Sequence, residues 1–417
     1  MRKIAFLLIF VFLAAAALSL SGCAKISGGL DEPDGFITAV GKDIYTAASG
    51  GEKILLRGVN AGGWLVTEDW MCPTSLEGDL AEESGMFELW DALESSLGAE
   101  ATEEAFELYR AKWWTEADFD NVKALGLNSI RLPFSWRDLE NTDGTLKPDA
   151  EAFYYIDWFI ENAAGRGLYV VLDLHGAHGS QNGKHHSGDT RTGGALYSDE
   201  ENMARTEALW VRVANRYKNN KWVAGYDLLN EPEGVPGGTM SEATPHWAYY
   251  DRLYKSVRNV DTNHLIFIEA VWELFNLPAP EVYGWTNVAY ELHFYQWEDS
   301  DSLASQEYFL GLKLIIDNAC DYDVPVYIGE FTFFNNPDSW AYGLAFFKER
   351  GCSWAVWTYK AFGKDSSWGL YTAESRTSAN VVTKFDTLES ILEKWGNLET
   401  SVSFTPNEWL IEIIKDS

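Results

Sequence analysis

Two glutamates sit where packing does not ask for them. Glu231 lies in Leu229-Asn230-Glu231-Pro232 and Glu330 in Ile328-Gly329-Glu330-Phe331, each at the close of a short apolar run. Asn60, Arg131, His175, Asn230, His293, Tyr295 and Trp357 hold similar places at the ends of such runs. Two carboxylates facing each other across a pocket suit cleavage of a glycosidic bond. One protonates the departing oxygen while the other attacks the anomeric carbon or activates water. An ionised Glu330 would raise the pKa of Glu231 and keep it protonated until the bond breaks, and Arg131 would hold Glu330 charged. Asn230 is placed to hydrogen-bond a sugar 2-hydroxyl. Trp357 offers a flat apolar face to the ring.

The elements that must position these groups are eight strands, expected at 54–59, 129–133, 168–174, 223–229, 265–269, 288–293, 324–329 and 353–358. Most are continuously apolar, as strands covered on both faces should be. Helical patterns lie between them. Thr115-Glu116-Ala117-Asp118 reads as a capping box with Asp118 in place of Glu, opening a helix that reaches Leu125. Phe153, Ile156, Phe159, Ile160 and Ala163 form one helical stripe, ended by Gly165-Arg166-Gly167, and Trp210, Val213 and Tyr217 form another. Eight strands alternating with helices predict a closed (β/α)8 barrel, a single α/β domain in which strand ends and the loops after them build one active face. An open doubly wound sheet would call for the Gly-rich dinucleotide-binding pattern, which the first strand–helix turn lacks. The acidic stretch 71–114, with helices expected at 88–97 and 103–112, and the long loop 176–202 belong to that face.

On these segments the chain resembles glycoside hydrolase family 5. The likeness runs through Arg57-Gly58-Val59-Asn60-Ala61-Gly62-Gly63-Trp64-Leu65, Ile130-Arg131-Leu132-Pro133, Leu172-Asp173-Leu174-His175, Leu229-Asn230-Glu231-Pro232, Glu291-Leu292-His293-Phe294-Tyr295, Ile328-Gly329-Glu330-Phe331 and Ala355-Val356-Trp357. The resemblance implies a retaining mechanism with Glu231 as acid/base and Glu330 as nucleophile. It also implies that Arg131, His175, Asn230, His293, Tyr295 and Trp357 line the subsite of the attacked sugar. The first segment, with Ser180-Gln181-Asn182-Gly183, is most similar to the exo-β-1,3-glucanase branch, which adds Glu68 as a substrate contact. Asn60 and Trp297 complete the expected binding set, with Trp272 and Trp297 offered for sugar stacking. Two stretches depart from that branch. Lys184-His185-His186 replaces a Trp-Asp pair, and 359–369 lacks its Trp-Lys-Thr-Glu. Linkage therefore stays open between β-1,3 and β-1,4, and so does glucan against mannan or glycolipid.

Composition bounds the alternatives. The 417 residues are 46% hydrophobic and 23% charged, enough for a large core. The net charge of −31 repels phosphate backbones, so nucleic acid is excluded as a partner, whereas a neutral β-linked oligo- or polysaccharide is compatible. Arg2 and Lys3 precede an apolar run from Ile4 to Leu20, which reads as an export signal. Leu20-Ser21-Gly22-Cys23 resembles a lipobox, so 1–22 is expected to be a lipoprotein signal peptide. Cys23 is then the lipidated residue, 23–35 a tether and 36–417 the catalytic domain. The expectation is an exported bacterial lipoprotein, at the cell surface or facing the periplasm, that is monomeric and bound to membrane through its lipid alone. Cys72, Cys320 and Cys352 allow one disulfide and require none. His175, His178, His185 and His186 cluster in sequence, but His-x-x-His on a loop without a Cys pair is a poor zinc site, so neither metal nor cofactor is expected. Two rival readings are weaker. A noncatalytic glycan-binding lipoprotein would be expected to lose one of the two glutamates. An enzyme of phosphorylated metabolites would need a Gly-rich anion site, for which Lys360 and Lys364 are thin support.

Overall fold

The computed structural model describes residues 32–79, 84–232, 240–270, 277–295, 311–313, 316–317, 322–362, 368–373 and 379–417. Eight strands close into a barrel: β1 (Arg57–Asn60), β2 (Ser129–Ser135), β3 (Tyr169–Gly176), β4 (Val223–Asp227), β5 (Leu265–Glu269), β6 (Val288–Tyr295), β7 (Val326–Thr332) and β8 (Ser353–Val356). Each pairs in parallel with the next, and β8 returns to β1 through Trp354 opposite Arg57. Every expected run overlaps one of these strands, and the chain is a (β/α)8 barrel.

The helices follow their strands. After β1 come α1 (Met86–Leu97), α2 (Ala99–Trp113) and α3 (Glu116–Ala124). After β2 to β4 come α4 (Tyr154–Ala164), α5 (Glu200–Tyr217) and α6 (Met240–Arg258), and α7 (Pro337–Arg350) follows β7. At the start of α3 the Asp118 carboxylate accepts from the Thr115 N–H at 2.7 Å and from its hydroxyl at 2.9 Å, which fastens the first turn. Ile156, Phe159, Ile160 and Ala163 form the buried stripe of α4. The Phe159 ring meets Trp64, Trp114 and Phe119 at centroid distances of 5.1, 5.3 and 4.7 Å. Full burial of one such side chain stabilises by roughly 1.5–3 kcal/mol. Trp113, Trp114 and Trp395 are likewise core residues.

Helix α2 also pins the loop that leaves β1. Tyr109 and Trp113 donate to the carbonyls of Gly63 and Gly62 at 2.6 and 3.0 Å. Gly63 has φ of 76°, and a Cβ there would lie 2.7 Å from Cys72 Sγ, so this turn admits only glycine.

The structure differs from the sequence reading in two ways. The run at 54–59 is divided: Lys53–Ile54 pairs antiparallel with Asp43–Tyr45, and only Arg57–Asn60 joins the barrel. Ile37, Ile44 and Leu56 pack with Val171, Phe267 and Tyr327, so the N-terminal strands close the lower end of the barrel. Second, the strand interiors are not apolar throughout. Arg131, Asp173, Asp227, Glu269 and Glu291 lie within β2 to β6 and are wholly buried. Side-chain alternation explains them: Asp173 is two residues before His175 and Glu291 two before His293, so each pair shares the inward face.

Candidate active site

Arg131 organises the floor of the site. Its Nη1 donates to Glu330 Oε1 at 2.8 Å and to Asn60 Oδ1 at 3.1 Å. Its Nη2 donates to Asn230 Oδ1 at 2.8 Å and to Asp227 Oδ2 at 2.7 Å, and its Nε reaches Asp227 Oδ2 at 3.0 Å. Asp173 and Glu291 complete its acidic surroundings at 3.1 and 3.5 Å. A guanidinium presents five N–H donors in a fixed planar fork, whereas an ammonium has three on a single atom. Asn60 lies in this floor. Its amide donates to the Gly329 carbonyl at 2.8 Å while its oxygen serves Arg131, so it is fully buried beneath the site.

Glu330 takes its second hydrogen bond from Tyr295, whose hydroxyl donates to Oε2 at 2.6 Å. Burial pushes the Glu330 carboxyl above its ordinary value. His293 and Arg131 pull it back and Glu231 pushes it further, leaving it raised. Arg131 thus moderates the basicity of Glu330, and burial outweighs it.

Glu231 follows β4 on a backbone with φ of 42°, a left-handed conformation rare for residues with side chains and concentrated at functional sites. Three buried contacts hold it there. Its N–H donates to Glu269 Oε2 at 2.6 Å, Asn182 donates to its carbonyl at 3.0 Å, and Gln181 donates to the preceding Asn230 carbonyl at 2.8 Å. Gln181 also donates to the His175 carbonyl at 2.8 Å. The segment after β3 is thereby tied to the end of β4. On its side chain, Oε1 meets His293 Nδ1 at 2.7 Å and Oε2 meets His186 Nε2 at 3.1 Å. Burial, against the pull of Glu330, lowers the His293 imidazole to about 3.

His175 pairs with Asp173 at 2.7 Å and stacks on Trp357, with centroids 5.5 Å apart and planes 4° apart. Burial opposes its charge, yet Asp173 and then Glu330 raise it overall. Glu68 reaches the same loop through His185 at 3.5 Å and accepts from Trp70 Nε1 at 2.7 Å. Burial alone would lift this carboxyl, but His185, with His175 and His186 behind it, holds it down at about 2.

Arg131, His175, Asn230, Glu231, His293, Tyr295, Glu330 and Trp357 therefore meet at one mouth, with Glu68 at its edge and Asn60 below. Trp272, Trp297, Cys320 and Cys23 lie outside the described residues. Cys72 is a buried free thiol, pushed up to about 12 by burial, and Cys352 is buried as well. His178 stands apart from the carboxylates of the site, stacked on Trp136 at 5.1 Å and 3.2 Å from Glu140.

Among the described residues, two groups bring possible metal donors within 4.8 Å of one another: Glu68, His185 and His186, and Glu231, His293 and Glu330. In both, protein hydrogen bonds already engage donor atoms, from Trp70, Asn182, Tyr295 and Arg131. Sequence reading passed over the acids below the floor and also Trp70 and Trp368, whose rings lie 4.5 Å apart, with Trp368 6.0 Å from Tyr295. The alternation rule could have found the acids. Nothing local marks the two tryptophans.

Comparison with known proteins agrees with this fold. The family profile "Cellulase (glycosyl hydrolase family 5)" matches residues 93–363. A β-xylosidase of Phanerodontia chrysosporium is 34% identical over 59% of this chain and 49% of its own length. A probable glucan 1,3-β-glucosidase A of Neosartorya fischeri is 30% identical over 67% of this chain and 65% of its own. The chain thus spans from about half to just under two thirds of the length of these relatives. An endogalactoceramidase crystal structure superimposes with a TM-score of 0.61 at 19% identity, covering 91% of this chain and 84% of that one. Thermotoga maritima Cel5A bound to mannotriose gives 0.54 at 20% identity, over 87% and 97%. The profile alone spans more than half of the sequence, and the chain belongs to glycosyl hydrolase family 5, the cellulase family.

Proposed function

We propose that the protein is a retaining β-glycoside hydrolase acting on β-linked glucan, with Glu330 as nucleophile and Glu231 as acid/base. The observation that carries this is the approach of the two carboxyl groups: oxygens of Glu231 and Glu330 lie within 4.8 Å of each other. A retaining pair stands about 5–5.5 Å apart because one carboxylate must bond the sugar, whereas an inverting pair leaves about 6.5–9.5 Å for water. The surroundings support the division of labour. Glu330 accepts from a guanidinium and a phenol, which favour its ionised form at attack. Glu231 lies between two imidazoles.

In the first step Glu330 bonds the anomeric carbon, the glycosidic bond breaks, and Glu231 gives its proton to the departing oxygen. In the second, Glu231 takes a proton from water, whose oxygen displaces Glu330. The glucan 1,3-β-glucosidase relatives favour glucan as substrate. The N-terminal Leu20-Ser21-Gly22-Cys23 supports attachment of the enzyme to a membrane surface through lipid on Cys23.

Proton NMR of the first product from a β-glycan should show the β anomer, and an α anomer would exclude retention. Glu330→Ala should form no covalent intermediate. Glu231→Ala should slow substrates with poor leaving groups far more than activated ones, and azide should speed it on the latter. Exchanged behaviour of the two variants would reverse the assignment. Product analysis on laminarin, barley glucan, carboxymethylcellulose and mannan identifies the linkage.

A further inference from the structure

The ladder between β4 and β5 ends before Glu231 is reached. Gly225, Tyr226 and Asp227 stand opposite Leu265, Ile266 and Phe267, and the Leu228 N–H reaches the Phe267 carbonyl at 3.5 Å. Beyond that point side chains join the two strand ends. The Tyr250 hydroxyl, on α6, faces the carbonyls of Leu229 and Glu269 at 3.4 and 3.2 Å. The Glu269 carboxyl then reaches across to accept from the Glu231 N–H at 2.6 Å.

Glu269 is wholly buried, and removing a carboxyl from water costs free energy unless hydrogen bonds offset it. Its Oε2 has the Glu231 N–H, while its Oε1 has no hydrogen-bond partner. An apolar side chain would avoid that cost at this depth. What the carboxyl supplies is an acceptor for one backbone N–H, and that N–H belongs to a residue with φ of 42°. A left-handed residue with a side chain persists only where its surroundings over-determine it. From the other direction, Asn182 donates to the Glu231 carbonyl at 3.0 Å. The peptide groups on both sides of the Glu231 Cα are thus held, one from β5 and one from the loop after β3. Together they set the direction in which the side chain leaves the backbone.

We propose that Glu269 is a positioning residue for proton transfer, which holds the Glu231 N–H and so fixes the left-handed backbone that aims the Glu231 carboxyl at the glycosidic oxygen. The proposal rests on the reading of Glu231 as acid/base. It gives a task to a buried acid that the two-step chemistry does not itself use. The task calls for an acceptor, not a charge. Burial lifts the Glu269 carboxyl well above its ordinary value, with Glu291, Glu231 and Asp227 adding to the rise against Arg131. A neutral acid accepts through its carbonyl oxygen as an amide does, which makes glutamine the conservative replacement.

The test compares kcat/KM on dinitrophenyl and unsubstituted phenyl β-glucosides, a good and a poor leaving group. Glu269→Leu should lose about 10–100-fold on the phenyl glucoside, part of the general-acid contribution that a misplaced carboxyl forfeits. On the dinitrophenyl glucoside, which needs no proton, the loss should stay below about threefold. Glu269→Gln should recover most of the activity and leave the basic limb of the pH profile in place. Glu269→Asp keeps an acid but withdraws the acceptor by about 1.5 Å, one carbon–carbon bond. It should show the same selectivity, so the comparison stands if the leucine variant does not fold. Equal losses on both substrates, or none, overturn the proposal, as does a Glu269→Gln as impaired as Glu269→Leu. Glu231→Ala is measured alongside. If it lacks leaving-group selectivity, the acid/base role of Glu231 falls; if it has that selectivity and the Glu269 variants do not, the positioning role alone falls.

Discussion

Removing one hydroxyl from the surroundings of Glu330, the proposed nucleophile, should move the enzyme's acid limit by a calculable amount. Glu330 receives two strong hydrogen bonds, from Tyr295 at 2.6 Å on Oε2 and from Arg131 at 2.8 Å on Oε1. Tyr295→Phe deletes the first and leaves the ring in place. A hydrogen bond to an ionised group contributes about 1.5–3 kcal/mol, and each pKa unit corresponds to about 1.4 kcal/mol. The loss should therefore raise Glu330 by about one to two units, toward the lower figure because the protonated acid keeps part of the bond. Under the proposed double displacement the sign is fixed: attack needs the carboxylate, so activity falls as pH drops through the Glu330 pKa. Burial has already lifted that pKa above its ordinary 4.5, so the unmodified acid limb lies above 4.5. The assay is kcat/KM against pH on an aryl β-glycoside, which reports the free enzyme. An acid limb that is unmoved in Tyr295→Phe, or displaced to lower pH, would refute the reasoning.

Gly329→Ala should cost about 1–3 kcal/mol of stability, because its new methyl group meets the Glu291 carboxylate and would lie 2.7 Å from the Glu291 Cδ; a thermal melt like that of the unmodified protein would count against this. Asp227 is pushed up to about 7 by burial, which outweighs Arg131, with Asp173 adding to the rise, so its contribution is present below about 3.8 and lost as pH climbs through 7. Melting temperature should therefore decline between pH 5 and pH 8, and Asp227→Asn should flatten that decline when both are followed by circular dichroism. Cys23→Ala should release the protein from membranes with its activity intact, and retention through a high-salt wash would argue against the lipid anchor.

The barrel was legible because parallel strands buried on both faces must be apolar, and eight such runs leave little freedom of topology. Glu231 and Glu330 were legible for the converse reason, as carboxylates at strand ends that no packing requires. Asn60 misled because its strand-end position looked like that of a lining residue. In three dimensions its amide is consumed by Arg131 and the Gly329 carbonyl. The run at 54–59 was read as one strand because apolarity alone does not mark where a chain leaves one sheet for another. Glu269 and Glu291 went unread because one acid in an apolar strand looks like a strand end; only pairing across four neighbouring strands shows that these acids share an interior with Arg131. His186 was seen as a departure from a pattern. What it touches depends on the fold of a long loop, and no local periodicity encodes that.

The acid-rich interior has a consequence for the charge at the mouth. Asp173, Asp227, Glu291 and Glu330 all lie close to Arg131, and Glu269 stands behind Glu231. Among these groups there is a single guanidinium, and five buried carboxylates around it could not all ionise. The protons stay on the deeper groups. Burial drives Glu269 and Glu291 well above their ordinary values, and their neighbouring acids add to it. Neutral acids at those depths leave Arg131 to the carboxyl groups that touch it, those of Glu330, Asp227 and Asp173. Under the proposed double displacement, Glu330 gives up its charge when it bonds the sugar. Asp227 at 2.7 Å and Asp173 at 3.1 Å still hold Arg131, so the guanidinium need not move to follow the charge. A floor whose protons and hydrogen bonds stay fixed through both steps is a preorganised one, and preorganisation is where electrostatic catalysis gains most over water.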